Sequence, residues 1–219
     1  MGKFHTFGDS WVRGDNIGSN FTFSWLIAQE LGFKRHEFIN YGLSGNNNKI
    51  IRDQILSTEF KKDDFILVVW TTPHRDDEKQ LYNRKNYFEY DDKISLGCFP
   101  KYIREVEEYL KGYNYKMTQC FNPIFGYDYI LESDIDGSNF IEWGKKNNTL
   151  VDIITETWLK EDVDNLWMTT GKVGKFEDVF VDHNHPSKDG SKMIVEKLLP
   201  YLKDEPAKKW WRNLSMEPE

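Results

Sequence analysis

Residues 65–70, Phe-Ile-Leu-Val-Val-Trp, form the longest uninterrupted apolar run in the chain. An apolar run of this length between polar segments is typical of a strand in a parallel sheet, which is buried on both faces. It is far shorter than the roughly 20 apolar residues that a membrane-spanning helix needs. The run therefore predicts a central strand of an α/β domain, and we expect no membrane span.

Further strands and helices alternate on both sides of this run. Strand patterns lie at Lys3–Phe7, Glu37–Tyr41 and Tyr115–Phe121. Helical apolar stripes lie at Phe23, Ile27 and Leu31, at Ile51 and Ile55, at Ile103, Val106 and Leu110, at Leu150, Ile153, Ile154 and Trp158, and at Ile194, Leu198 and Leu202. Asn20 and Asn46 are the expected N-caps of the first two helices. This alternation predicts right-handed βαβ units and an open parallel sheet flanked by helices.

The length of 219 residues suits one large domain. Two segments, at about 71–98 and 122–147, are too long for ordinary connections between such elements, and we interpret them as insertions. The predicted domain covers residues 1–204, and a polar C-terminal tail covers 205–219.

The composition argues against several classes of protein. The net charge of −7 disfavours a nucleic-acid-binding surface, which is usually basic. Two cysteines, Cys98 and Cys120, are too few for a disulfide framework. The N-terminus has no apolar leader, so we expect no secretory signal and a cytoplasmic or virion-associated protein. The sequence does not indicate an oligomeric state.

A serine follows the first predicted strand at a sharp turn, in the segment Gly8-Asp9-Ser10-Trp11. Open α/β sheets bind their ligands at this carboxyl edge of the strands. A serine becomes a nucleophile only when a general base lies within hydrogen-bond reach and a third group orients that base. Taken alone, Gly-Asp-Ser is also common in ordinary turns.

Such a base and orienting group stand together in the segment Asp182-His183-Asn184-His185-Pro186-Ser187. The spacing of three lets the carboxylate of Asp182 accept a hydrogen bond from one ring nitrogen of His185, while the other nitrogen faces Ser10. The sequence thus predicts a catalytic triad of Ser10, Asp182 and His185. Taken alone, a histidine at the start of a helix is more often a surface or capping residue.

Residues 40–48, Asn-Tyr-Gly-Leu-Ser-Gly-Asn-Asn-Asn, again follow a predicted strand directly. Glycine lets the backbone approach a ligand closely, and an exposed N–H here can stabilise a developing oxyanion together with the N–H of the nucleophile. The alternative interpretation is an Asn-rich turn that caps the next helix.

In this order and at these strand ends, the three segments resemble the SGNH (GDSL-type) hydrolases. Gly8-Asp9-Ser10 matches the first block with the nucleophile, Gly42-x-Ser44-Gly45-Asn46 the second, and Asp182-x-x-His185-Pro186-Ser187 the last. The resemblance covers residues 1–203. It implies a flavodoxin-like three-layer α/β/α sandwich with a mostly parallel central sheet, and an oxyanion hole formed by the N–H groups of Ser10 and Gly45.

The third block of the family departs from its usual pattern here. Gly-x-Asn-Asp is expected after the third strand, where this chain has Trp70-Thr71-Thr72-Pro73-His74-Arg75. The side-chain amide of the oxyanion hole is therefore missing, and loss of one such donor typically costs about 10²–10³ in rate. Thr71, Thr72 and Asn46 are the candidate replacements. This form, with Asn48-x-Ile50-x-Arg52, resembles a variant found in tailed-phage genomes.

The resemblance implies hydrolysis of an ester without a cofactor, as an esterase, lipase, thioesterase or carbohydrate deacetylase. The insertion at about 71–98 combines aromatic side chains with many charges, a mixture that suits stacking on sugar rings. We therefore expect an O-acetyl ester on a glycan as the substrate. The expected substrate-binding residues are Trp11, Trp70, Arg75, Tyr82 and Tyr87.

Other interpretations stay open at this point. The missing third-block Asn favours a non-catalytic glycan-binding or virion structural module on the same scaffold, and acyl transfer to a second sugar is a third possibility. His183 and His185 also form a metal-binding pattern, and Glu132–Gly137 approaches a calcium loop but lacks its final glutamate. We expect neither metal site.

Overall fold

The structure is a computed structural model that describes residues 2–71, 98–119 and 185–203. Its sheet contains β1 (Phe4–Phe7), β2 (Phe38–Asn40), β3 (Phe65–Trp70) and β4 (Asn114–Gln119). All the pairings are parallel, and the strand order is β2-β1-β3-β4. This is the order of the flavodoxin-like fold, in which the direction of winding reverses between β1 and β3.

Helices connect and cover these strands. They are α1 (Ser10–Arg13), α2 (Phe23–Glu30), α3 (Asn48–Leu56), α4 (Phe99–Leu110) and α5 (Lys188–Lys203), with a short 3-10 turn at Arg35–Glu37. None of the described helices is long and apolar enough to cross a membrane.

Two apolar cores lie on opposite faces of the sheet. On one face, alternate strand residues such as Leu67 and Val69 pack against α1, α2 and α5. On the other, Ile66 and Val68 pack against α3 and α4. The prediction of a flavodoxin-like three-layer α/β/α sandwich with a parallel sheet is therefore confirmed, including full burial of β3 on both faces.

The caps of α2 and α3 lie two residues and one residue later than expected. Thr22 caps α2, since its hydroxyl oxygen accepts a hydrogen bond from the N–H of Trp25 at 3.2 Å. Asn47 caps α3 by accepting from the N–H of Ile50 at 2.9 Å. The predictions for Asn20 and Asn46 were wrong. The capping side chain must reach an N–H of the first helical turn, and the sequence alone does not show at which residue that turn begins. The helix expected around Leu150, most of both insertions and the tail lie outside the described residues.

A buried histidine and a buried carboxylate contact each other at the amino edge of the sheet, where the chain enters β1 and β3. His5 Nε2 lies 3.2 Å from Asp64 Oδ2, and both side chains are at most 4% exposed. The carboxylate also accepts hydrogen bonds from the N–H groups of Lys3 at 2.7 Å and Lys61 at 2.8 Å. These contacts join the segments that lead into β1 and β3.

Burial sets the charge state of this pair. Desolvation lowers the pKa of His5 even though Asp64 opposes the shift. Burial opposes ionisation of Asp64, but the two backbone N–H groups and His5 outweigh it and leave the pKa of Asp64 below its usual value. The folded protein therefore favours a neutral His5 beside an ionised Asp64.

We predict that the protein loses stability as the pH falls below about 6.5, where the unfolded chain protonates His5 before the folded one does. A further loss follows below about pH 4 as Asp64 is protonated. Thermal unfolding between pH 7.5 and 5.5 measures the first effect. His5→Gln should flatten the pH dependence. Equal pH dependence in His5→Gln and the wild type would contradict the assignment.

Candidate active site

Ser10 is the first residue of α1, which begins just beyond the carboxyl end of β1. Gly8 makes this sharp turn possible, because a Cβ there would lie 2.4 Å from Val12 Cγ2 and 3.0 Å from the carbonyl oxygen of Val69. Asp9 caps the helix, its Oδ1 accepting a hydrogen bond from the N–H of Trp11 at 3.0 Å. The local sequence therefore fixes the turn that carries Ser10.

Ser10 keeps its polar groups available to a ligand. Ser10 is buried, with 6% of the residue exposed. Within the part of the chain that the structure describes, neither its hydroxyl nor its N–H makes a hydrogen bond. Only its carbonyl oxygen is engaged, by the N–H groups of Gly14 and Asp15.

The loop after β2 lies against this turn. The carbonyl oxygen of Gly8 accepts hydrogen bonds from the N–H of Leu43 at 3.3 Å and from Asn46 Nδ2 at 2.9 Å. Gly45 lies between these two contacts, is exposed and has a φ of +78°. Among residues 2–71, 98–119 and 185–203, none accepts a hydrogen bond from its N–H. The structure thus holds the loop of Gly45 against the Ser10 turn, and the N–H groups of Ser10 and Gly45 make no hydrogen bond within the part of the chain that the structure describes.

Asn40 connects the same loop to α1. Its Nδ2 donates to the carbonyl oxygen of Val12, and its Oδ1 accepts from the N–H of Gly42, both at 2.8 Å. A Cβ on Gly42 would lie only 2.5 Å from the backbone nitrogen of Arg13, so the loop backbone packs directly on α1. Farther out, the hydroxyl of Ser44 hydrogen bonds to Asp15 and accepts a bond from Arg13. The sequence had not indicated this role of Asn40, although its place at a strand end was a possible signal.

The expected replacements for the missing third-block amide are engaged elsewhere. Asn46 Nδ2 donates to Gly8 and, at 3.3 Å, to Gln54 Oε1. The hydroxyl of Thr71 donates to Asp9 Oδ2 at 2.8 Å. Neither side chain is therefore free to donate to an oxyanion at Ser10. Thr72 lies outside the described residues.

His185 precedes α5 by three residues and is partly exposed. Helix α5 runs parallel to α2. At the starts of the two helices, Lys188 Nζ lies 3.8 Å from the ring centroid of Phe21. At their ends, Lys203 Nζ lies 3.9 Å from Glu30 Oε2.

The start of α2 lies beside α1, where the hydroxyl of Ser24 donates to the carbonyl oxygen of Val12 at 3.3 Å. The starts of α2 and α5 therefore both lie at the carboxyl edge of the sheet. His185 stands at the same edge as Ser10 and Gly45. Asp182 lies outside the described residues.

The two expected tryptophan contacts with substrate are not supported. Trp11 is 1% exposed and packs in the core with α2 and α5. Trp70 is fully buried, with its Nε1 3.4 Å from Met117 Sδ and its ring edge-on to Phe99. Side chains without exposed surface hold the layers together, and these two are core residues.

The other expected contacts fall on parts of the chain that the structure does not describe. They are Arg75, Tyr82 and Tyr87, together with His183 and the segment Glu132–Gly137.

No model of a known protein family matches the chain, and no curated protein matches its sequence. Solved structures do match it. A protein assigned to the lipolytic G-D-S-L family from Desulfitobacterium hafniense DCB-2 is 14% identical, with a TM-score of 0.54 over 91% of this chain and 99% of that one. A catalytic mutant of the acetylxylan esterase Axe2 from Geobacillus stearothermophilus is 11% identical, with a TM-score of 0.54 over 93% and 96%.

A gut microbial diltiazem-metabolizing enzyme, BT4096, is 16% identical with a TM-score of 0.52 over 92% of this chain and 47% of that one. Together with the strand order and the layers described above, these similarities show that the chain has the fold of the SGNH (GDSL-type) hydrolases.

Proposed function

We propose that the protein is a serine ester hydrolase in which Ser10 is the nucleophile. The observation that carries this proposal is the turn after β1. There the hydroxyl and N–H of Ser10 make no hydrogen bond within the described residues, nor does the N–H of Gly45 in the loop that contacts this turn. Acyl transfer to a serine needs this combination of a nucleophile and two oxyanion donors. His185 enters the proposal because α5 starts at the same edge of the sheet.

The proposed reaction has two halves. Ser10 Oγ attacks the acyl carbonyl and gives its proton to His185, while the N–H groups of Ser10 and Gly45 bind the oxyanion. His185 then returns the proton to the departing alcohol, which leaves an acyl-serine. Water hydrolyses this ester by the same route. Asp182 orients the imidazole and stabilises its charged form.

The proposed substrate is an O-acetyl ester on a glycan. The aromatic and charged residues of the insertion at about 71–98, including Arg75, Tyr82 and Tyr87, support a sugar-binding wall. An acetylxylan esterase among the proteins of the same fold is in keeping with this choice. The proposal includes no cofactor and no nucleic-acid partner.

We predict that Ser10→Ala abolishes hydrolysis, by at least about a thousandfold in kcat, because no other group replaces the nucleophile. The measurement is kcat and KM on a panel of acetylated sugars and p-nitrophenyl esters. Ser19→Ala, at an exposed position in the same region, is the matched control and should retain full activity. Activity that survives Ser10→Ala would contradict the triad.

The panel also separates the other functions. A non-catalytic glycan-binding or virion structural module would bind acetylated sugars without releasing acetate, in the wild type as in Ser10→Ala. An acyl transferase would leave the acetyl group on an added acceptor alcohol. Release of free acetate that depends on Ser10 supports the hydrolase.

We predict that Gly42→Ala lowers both stability and activity, because the new methyl group pushes the oxyanion loop away from α1. Overpacking of this kind costs about 1–3 kcal/mol. Thermal unfolding and kcat for the best ester of the panel measure the two effects. Ser44→Ala changes the same loop without crowding its backbone, and it should leave kcat within about threefold. A Gly42→Ala variant with wild-type kcat would show that the loop position does not matter for catalysis.

A further inference from the structure

Thr71 follows β3 directly and is fully buried at the carboxyl edge of the sheet. Its hydroxyl donates to Asp9 Oδ2 at 2.8 Å, which joins the ends of β3 and β1. A buried carboxylate needs such donors, because its transfer from water is otherwise costly. The hydroxyl has a single proton, and this bond uses it.

The carboxylate of Asp9 transmits this contact to α1. Asp9 is fully buried, and its other oxygen accepts the N–H of Trp11 at 3.0 Å. Trp11 follows Ser10 in the first turn of the helix. The position of the carboxylate therefore determines how that turn, and with it the N–H of Ser10, is oriented.

Asn48 holds Thr71 in turn. The side-chain amide of Asn48 is fully buried, accepts the N–H of Thr71 at 2.9 Å and donates to its carbonyl oxygen at 3.1 Å. Asn48 is the first residue of α3, so the helix fixes its position. A continuous series of contacts runs from α3 through Thr71 and Asp9 to α1.

We infer that Thr71 is a positioning residue for the reaction, which acts through Asp9 to orient the first turn of α1 and the oxyanion-binding N–H of Ser10. This inference rests on the proposed function for its kinetic consequence. It assigns Thr71 a different role from an oxyanion donor, since its proton is committed to Asp9. Asn48 is the second member of the same positioning unit.

The test compares Thr71→Val, Thr71→Ser, Asp9→Ala and the double variant of Thr71→Val with Asp9→Ala. Thr71→Val should lower kcat about ten- to a hundredfold with little change in KM, as expected for a small misplacement of catalytic groups. Thr71→Ser keeps the hydroxyl and should restore kcat to within about threefold. Because Thr71 acts through Asp9, the double variant should be no slower than Asp9→Ala alone.

Thr118→Val is the matched control. It also removes a buried threonine hydroxyl in the sheet, but one without a hydrogen-bond partner among the described residues, and it should leave kcat unchanged. If the kcat of the double variant is lower than that of Asp9→Ala by the same factor that Thr71→Val causes alone, Thr71 contacts the oxyanion directly and the inference is overturned. Wild-type kcat in Thr71→Val, or failure of Thr71→Ser to restore kcat, would also overturn the inference.

A second readout does not need activity. Hydrogen exchange of the Trp11 amide, followed by NMR, should be at least about tenfold faster in Thr71→Val than in the wild type and unchanged in Thr118→Val. Unchanged exchange in Thr71→Val would overturn the inference even if the protein hydrolyses esters. Faster exchange in a protein that hydrolyses no ester would support the contacts and reject the proposed function instead.

Discussion

β1 and β3 pair in parallel, and Phe7, the last residue of β1, lies opposite Val68, two residues before the end of β3. Three residues beyond this pair come Ser10, at the start of α1, and Thr71, directly after β3. Because the ends of β1 and β3 lie near each other, the buried carboxylate of Asp9 accepts hydrogen bonds both from Trp11 after β1 and from Thr71 after β3. The loop after β2 and the start of α5 then complete the same edge. The contacts of Asp9, and with them the turn that carries Ser10, thus depend on this one parallel register.

The layers were predictable because the apolar pattern of each segment indicates both its secondary structure and the face that it buries. The run 65–70 can be buried only inside a sheet, and stripes such as Ile51 with Ile55 can only face it. The place of Trp70 in the core was also predictable, since alternate residues of a strand face the same side of the sheet and Trp70 alternates with Ile66 and Val68. The expectation that Trp70 contacts substrate did not take this alternation into account.

The polar residues at the strand ends were much harder to assign. Asn46, Asn47 and Asn48 are adjacent and chemically identical, yet one holds the loop to Gly8, one caps α3 and one binds the backbone of Thr71. Their roles depend on which backbone groups the fold brings near each amide. Sequence patterns contain no information on those distances. For the same reason the sequence left Thr71 as a candidate oxyanion donor, whereas the structure shows its hydroxyl on Asp9.

In the proposed mechanism, the N–H groups of Ser10 and Gly45 bind the oxyanion while the hydroxyl of Thr71 holds Asp9. A crystal structure of the protein treated with a fluorophosphonate, whose phosphonyl oxygen stands in for the oxyanion, tests it most directly. We expect a bond from phosphorus to Ser10 Oγ and hydrogen bonds from the N–H groups of Ser10 and Gly45 to the phosphonyl oxygen. The hydroxyl of Thr71 should still donate to Asp9. A probe attached to another residue, or a phosphonyl oxygen bound by the hydroxyl of Thr71, would contradict it.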